Sequence, residues 1–443
     1  MSDKPLCLVT APIATRSGYG AHSRDIVRSL VKLDKYDVKI YAVRWGNTPQ
    51  NALNIEDPND KIIIDRMLSD PNLPKQPDLH IHIVIPNEFQ PMGKYNIGIT
   101  AGIETTVCPP RWVEGMNRMD LNIVPSKFVK QIMSSVAFDR VDEKTNQKTG
   151  ELKNEKPVEV LFEGVDRNIF KKTTEFTKEL VEEFKNIDEN FCFLYVGHWL
   201  QGNMGEDRKD TGMLIKVFCE TFKNMKKQPA LILKTSGATF SILDREDMLK
   251  KIESIKDQVK GNLPNIYLLH GDFTDEEMNE LYHHPKVKVH VNITHGEGFG
   301  RPLLEATISS KPIIASNWSG HVDFLPKDNV ILLNGNLQQV PRNSFPKEMW
   351  VEGAQWFTVN YNDASKVLKS VHKNYKQFTL RAKKLAIVNK SRFSLDAMTK
   401  EFGKILDKYV PEFPKEVELK LPKLKKTSSA NIPKIKLPKL KKV

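Results

Sequence analysis

VKVHVNITHGEGFGRPLLEATISSKPIIASNWSGHVDFL, residues Val287 to Leu325, reads as a strand, a glycine-rich loop, a helix and a second strand. The β-branched run at its start suits a buried strand. Gly296, Gly298 and Gly300 allow the loop backbone to approach a ligand closely. Pro302 stands where a first helical residue is favoured, so the helix is expected to open directly on the loop. Its free N–H groups would then face the loop's contents, an arrangement suited to phosphate. In an open α/β sheet, the crevice beyond the strand ends is where ligands bind.

Two carboxylates accompany this loop. Glu297 lies within it, and Glu305 is expected in the first turn of the helix. A carboxylate accepts up to about four hydrogen bonds and suits the paired hydroxyls of a sugar or ribose. Taken alone, Glu305 reads more simply as a helix-dipole partner. The two acids together with three glycines favour a binding site.

GEGFGRPLLEA, Gly296 to Ala306, resembles the E-x7-E motif of retaining GT-B glycosyltransferases, notably glycosyltransferase family 4. The resemblance implies that Glu297 sits beside the donor sugar and that Glu305 binds the nucleotide ribose. It implies that the backbone at Gly298, Phe299 and Gly300 meets the sugar or diphosphate. Three further segments agree in order. LFEGVDRNIF, Leu161 to Phe170, looks like the family's interdomain segment, with Phe162 and Glu163 in place of the commoner proline and asparagine. VGHWLQGNMGEDRKDTGMLIKVF, Val196 to Phe218, looks like the segment that supplies cations to the diphosphate. Arg208 and Lys209 fit that role, while His198 replaces the usual arginine. IYLLHGDFTDEEMNELYHHPKVKVHV, Ile266 to Val291, resembles the strand and helix that precede the motif. Lys234, closing the strand LILK, is a further cation candidate, and Asp323 is expected to be structural.

TRSGYGAHSRDIVRSL, Thr15 to Leu30, is a strand-to-helix loop resembling the first glycine loop of these enzymes, with Gly18, Tyr19 and Gly20 at its tip. A dinucleotide fingerprint is the rival, and Ser23 at the third glycine position counts against it. NIGITAGIETTVCPPRWVEGMNRMDLNIVPSKF, Asn96 to Phe128, is similar to the acceptor-side stretch ending in V-P-S-x-F. Many relatives have a histidine near the reacting sugar there. Here Glu104 is the nearest substitute and joins Glu297 as a candidate catalytic residue.

Outward from these motifs, strand-like and helical runs alternate along the whole chain, the signature of α/β architecture with parallel sheets. The resemblance makes this a GT-B fold, two Rossmann-like domains facing across a cleft. The expected boundaries are 1–165 for the acceptor-binding domain and 166–385 for the nucleotide-sugar domain. A helix at 386–410, sharpest from about Ser394 to Tyr409, is expected to cross back to the first domain, followed by a basic disordered tail at 411–443. Phe138 to Pro157, polar and lysine-rich, reads as an exposed insertion.

Composition permits this reading. The chain has 443 residues, 40% hydrophobic and 28% charged, enough for two or three domains with their own cores. Its four cysteines lack CxxC spacing and read as buried small hydrophobes in a reducing compartment. His80 and His82 share a strand face without a third ligand and read as packing residues; His283 and His284 read as surface residues. MSDKPLCLVTAPIA lacks a basic leader and reads as a first strand. The location is therefore expected to be cytoplasmic, with peripheral membrane contact open.

The net charge of +12 is concentrated at the end: residues 411–443 carry ten lysines and three glutamates. KLPKLKK occurs twice, at Lys420 to Lys426 and Lys436 to Lys442, with prolines that forbid a long helix. The tail reads first as solvated chain, and second as a contact for an anionic membrane surface; nucleic acid is the weaker partner.

The resemblance implies transfer of a sugar from a nucleotide-diphosphate donor to a glycan, lipid or other acceptor, with retention of configuration. No cofactor beyond the donor is expected, and no metal, since the sequence has no D-x-D motif. Two rivals remain: a GT-B-fold epimerase, and a binding protein that keeps the cleft or works through its tail.

Overall fold

The computed structural model describes residues 4–70, 73, 75–142, 144–145, 147–237 and 239–414. Through Pro411 they form one compact unit. It is built on two six-stranded parallel sheets. The first contains β1 (Leu6–Ala11), β2 (Asp37–Ala42), β3 (Leu79–Ile83), β4 (Tyr95–Ile99) and β5 (Leu121–Val124). A hairpin of β6 (Ala137–Val141) and β7 (Lys148–Lys153) precedes its last strand, β8 (Val158–Val160). The spatial order is β2-β1-β3-β4-β5-β8.

The second sheet contains β9 (Cys192–Val196), β10 (Ala230–Lys234), β11 (Ile266–Leu269), β12 (Val287–Asn292), β13 (Ile313–Ser316) and β14 (Ile331–Leu333), in the order β11-β10-β9-β12-β13-β14. A separate antiparallel hairpin pairs β15 (Gly335–Gln339) with β16 (Gln355–Val359).

Both sheets are buried on two faces, as parallel strands require. In β9, Cys192 and Leu194 enter one core while Phe193 and Tyr195 enter the other. The two-residue period of the strand divides them. Helices α1 (Gly18–Leu33), α2 (Pro58–Ile64), α3 (Pro110–Asn117) and α4 (Lys127–Ser135) accompany the first sheet. Those of the second are α5 (Lys178–Lys185), α6 (Thr211–Phe222), α7 (Ile242–Lys256), α8 (Asp275–His283), α9 (Arg301–Thr307), α10 (Tyr361–Lys373) and α11 (Tyr375–Arg392).

The final helix, α12 (Leu395–Tyr409), lies against α1. Ser394 caps it by accepting from the Ala397 N–H at 3.1 Å. Ser29 and Thr399 hydroxyls meet at 2.8 Å, and Gly403 leaves room for Leu33. Lys408 and Tyr409 then bind Glu159 at 2.8 and 2.6 Å. The chain passing from the first sheet is pinned there too: Val165 N–H donates to Phe393 O, and Leu395 N–H to Val165 O, both at 2.9 Å.

Local details go beyond the sequence expectations or correct them. Phe138 to Pro157, expected as an exposed insertion, contains the β6–β7 hairpin, which is exposed on most of its surface. The helix expected at 386–410 is divided: its first residues end α11, Phe393 enters the core, and Ser394 caps α12, which runs to Tyr409. His284 is buried, its ring 3.5 Å from that of Phe184. Helix α8 ends at His283, so the next residue leaves the helical period and turns inward. Both KLPKLKK repeats lie outside the described residues. Among the described residues, no helix is long and apolar enough to cross a membrane.

Candidate active site

The second sheet changes winding direction between β9 and β12, which are neighbours in space. The loops that leave their carboxyl ends therefore diverge and open a crevice, the usual ligand position in such sheets. One of these loops carries Arg208 and Lys209; the other carries Glu297.

The cation loop is anchored on both sides. Asp207 Oδ2 accepts the Thr211 N–H at 2.9 Å, and Asp210 accepts the Tyr361 hydroxyl at 2.8 Å. Asp210 holds a left-handed φ of 54° as α6 begins. Thr294 Oγ1 and His295 N–H both donate to Arg208 O, at 3.1 and 3.0 Å. These bonds tie the backbone at 208 to the start of the glycine loop. The Lys209 ammonium pairs with Glu297 Oε1. Arg208 Nη1 lies 3.0 Å from Glu104 Oε1 and 3.8 Å from Glu297 Oε2, and donates to Gly296 O at 3.2 Å.

The glycine loop is pressed against the first sheet. A Cβ on Gly298 would fall 2.1 Å from Ala101 O, and one on Gly296 would fall 2.3 Å from Glu104 O. Only glycine admits this approach. Glu297 is held by its backbone: its N–H donates to Ser319 Oγ, and its carbonyl accepts the Gly320 N–H, both at 2.9 Å. Ser319 adopts φ 75° and ψ −160°, a conformation unusual outside glycine that costs on the order of 1–3 kcal/mol. The surrounding contacts offset that strain. Asp323 accepts the Lys127 N–H at 2.8 Å, joining the second sheet's loop to the start of α4.

Glu104 reaches the cluster from the loop after β4. Tyr19 fixes that loop: its hydroxyl meets Thr100 Oγ1 at 2.9 Å and accepts the Ala101 N–H at 3.1 Å. Its ring lies 4.1 Å from that of Trp45. Ser17 caps α1 by accepting from Gly20 N–H at 3.0 Å. Gly20 has no space for a side chain, since a Cβ would meet Thr15 O at 2.2 Å, whereas Gly18 is open.

Burial raises the Glu104 carboxyl above its ordinary value, against the pull of Arg208. Glu297 feels burial too, but Lys209 and Arg208 outweigh it and hold its carboxyl below the ordinary value. His198, whose Nδ1 lies 3.3 Å from Ser236 Oγ, is lowered to about 4 by burial and by Lys209 and Lys234. It is therefore neutral at pH 7 and does not replace arginine as a cation. Lys234 donates to Gly271 O at 2.7 Å and faces Phe273 at 4.5 Å; burial lowers it to about 8. It remains mostly charged near neutrality.

Glu305 belongs to a second cluster. Helix α9 starts at Arg301, so Glu305 lies past the first turn and is not its dipole partner. Its carboxylate accepts the Tyr282 hydroxyl at 3.1 Å and pairs with Arg301 Nε at 3.0 Å. Arg301 Nη1 reaches Asp25 of α1 at 2.5 Å and lies 3.8 Å from Glu163. Burial lifts Glu305 and Glu163 to about 7, with Arg301 opposing and neighbouring carboxylates adding to the rise.

Glu104, Arg208, Lys209 and Glu297 thus meet in one place. Glu305, His198 and Lys234 bond elsewhere, to Tyr282 and Arg301, to Ser236 and to Gly271 respectively. Arg301, Asp25, Glu163, Tyr282 and Ser319 carry structural weight that sequence reading did not assign. Arg301 was visible between Gly300 and Pro302, but its partner Asp25 lies 276 positions away. Ser319 offers no sequence signal for its left-handed backbone. His80 bonds Thr10 at 3.0 Å and His82 accepts the Gln90 N–H at 3.2 Å. Among the described residues, no three His, Cys, Asp or Glu side chains could hold a metal ion.

Residues 207–344 match the family model for glycosyl transferases group 1. No curated protein matches the chain significantly. Solved structures share its fold. HepE of Anabaena, in complex with UDP-glucose, aligns with a TM-score of 0.57 at 13% identity, covering 91% of this chain and 100% of that one. Sucrose-phosphate synthase of Thermosynechococcus elongatus gives 0.59 at 12%, covering 91% and 98%. A trehalose-6-phosphate structure from E. coli, bound with UDP-2-fluoro glucose, gives 0.57 at 12%, covering 92% and 100%. The two-sheet architecture is the GT-B fold.

Proposed function

We propose that this chain, whose GT-B fold carries a match to the glycosyl transferases group 1 model over residues 207–344, is a glycosyltransferase that moves a sugar from a nucleoside-diphosphate donor to an acceptor, with retention and without a metal ion. The observation that carries this reading is the cluster of Arg208, Lys209, Glu104 and Glu297 between the two sheets. As the glycosidic bond breaks, negative charge grows on the leaving diphosphate. Two preplaced cations stabilise that charge more than the ground state, which is the condition for catalysis.

In this reading the carboxylates hold the cations in place until the donor arrives. Arg208 and Lys209 then turn to the diphosphate, and Glu297 is released to accept from sugar hydroxyls. Glu305 accepts from the ribose hydroxyls once its bond to Arg301 loosens. Glu104, carried on the loop after β4, would take the acceptor's proton. Two of the similar structures hold UDP-sugars, which makes uridine donors the first to test. Retention rests on the E-x7-E resemblance, and metal independence on Arg208 and Lys209 serving the charge-neutralising role of a divalent ion.

Calorimetric titration with UDP, GDP and ADP, with and without a chelator, tests the donor site. Binding of one nucleotide, unchanged by the chelator and lost in Arg208→Gln, is expected. Failure of all three to bind contradicts the reading. The anomeric configuration of a transferred sugar, read by NMR, tests retention.

A further inference from the structure

Helix α11 is apolar on both sides. Ala382, Leu385, Ala386 and Asn389 are buried against the body of the protein. On the opposite face, Leu380 is 63% exposed, Ile387 72% and Val388 47%. Leu380 and Ile387 are two turns apart and align along the axis, separated by about 10 Å at the α-helical rise. A surface helix ordinarily places polar residues there.

Charge on this helix has one sign. YKQFTLRAKKLAIVNKSR contains Lys376, Arg381, Lys383, Lys384, Lys390 and Arg392, and no acidic residue. Lys376, Arg381, Lys383, Lys384 and Arg392 are exposed and share the outward face with the three aliphatics. None of the six takes part in an ion pair among those found in the described residues. The other exposed aliphatic pair, Ile242 and Leu243 on α7, has Asp244, Glu246 and Asp247 beside it and lacks this character.

We propose that the outward face of α11 docks on an anionic lipid surface, with Leu380, Ile387 and Val388 entering the headgroup boundary and the surrounding lysines and arginines meeting lipid phosphates and carboxylates. Aliphatic residues interleaved with unopposed cations are the signature of an interfacial helix. Nucleic acid would engage the same cations but leaves the three aliphatics without a partner, since its backbone is polar throughout. The proposal concerns a surface apart from the cleft and stands without the catalytic reading. The lysines at 411–443 would add attraction of the same sign.

The test is co-sedimentation of the full chain with vesicles of phosphatidylcholine alone or with a third phosphatidylserine, at physiological salt. Two α11 variants accompany it: Leu380→Ser/Ile387→Ser/Val388→Ser, and Lys383→Gln/Lys384→Gln/Arg381→Gln. Circular dichroism checks their folding, and a duplex RNA serves as a competing probe. The unaltered chain is expected to sediment with the serine-containing vesicles only. Each variant is expected to lower that partition about tenfold. No binding of the unaltered chain overturns the proposal. So does equal binding by both variants, which would assign the whole effect to the terminal lysines. RNA binding weakened by the charge variant, with vesicle binding indifferent to the apolar one, overturns it as well.

Discussion

Arg208 Nη1 lies 3.0 Å from Glu104 Oε1, so a cation from the second sheet is paired with a carboxylate from the first. Lys209 and Glu297 complete the group, with side chains only 12% and 8% exposed. Charges removed from water this far require partners, because the desolvation of a lone buried ion costs several kcal/mol. Without a donor the partners are one another, and a diphosphate can take over cations that are already desolvated.

Replacing Lys209 with methionine removes the closest partner of Glu297 and leaves Arg208 at 3.8 Å. Breaking a buried pair costs about 3–5 kcal/mol, and the remaining arginine reduces this to about 2–3. Urea denaturation should show that loss. The double change Lys209→Met/Glu297→Gln should recover most of it, since no unpaired charge then remains.

Closeness of the two sheets depends on Gly298. Alanine there would set a Cβ 2.1 Å from Ala101 O, which belongs to backbone and cannot yield as a flexible side chain would. Turnover is expected to fall about 100-fold, because a misplacement of roughly 1 Å costs that much. The melting temperature should change by only a few degrees. Full activity in Gly298→Ala would mean that the two loops need not approach this closely.

Stability should depend on pH through Glu163. Its carboxyl rises from 4.5 to about 7 on folding, chiefly through burial. The folded protein therefore holds a proton that the unfolded chain has lost. This contribution is complete below pH 4.5 and fades as pH rises through about 7, on the order of 3 kcal/mol. Glu305 is raised to about 7 as well and adds to the same trend. Denaturation midpoints between pH 5 and 8 should fall with rising pH, and Glu163→Gln should flatten part of that slope. An unchanged slope in the variant would assign the effect elsewhere.

Tyr19→Phe deletes one hydroxyl that bonds both Thr100 and the Ala101 N–H. A loss of about 1–2 kcal/mol is expected from these bonds. Because the same loop presents Glu104, the turnover number should fall more than acceptor affinity. A purely structural Tyr19 would change stability and leave the kinetic constants alone.

Much of this architecture was readable because it rests on short-range pattern. The strand and loop from Val287 to Gly300 declare themselves through β-branched residues followed by glycines, and the expected cations Arg208 and Lys209 do reach Glu297. What sequence could not supply was pairing over long separations. Arg301 to Asp25 joins helices α9 and α1, which accompany different sheets, and Ser319 holds a glycine-like backbone without being glycine. The β15–β16 hairpin also passed unread, because Gly335 to Gln339 lacks apolar alternation and only its partner strand, with Trp356, carries it. Glu305 falls one residue further into its helix than expected, because α9 begins on Arg301, which is packed in place by three carboxylates, and not on Pro302.

The most direct measurement is release of nucleoside diphosphate from a panel of nucleotide sugars, followed by coupled assay in the presence of a chelator. The chain should slowly hydrolyse at least one donor, and Arg208→Gln/Lys209→Gln should lower that rate at least 100-fold while the protein stays folded. Hydrolysis at an equal rate by the double variant, or none with any donor in the panel, would contradict the account.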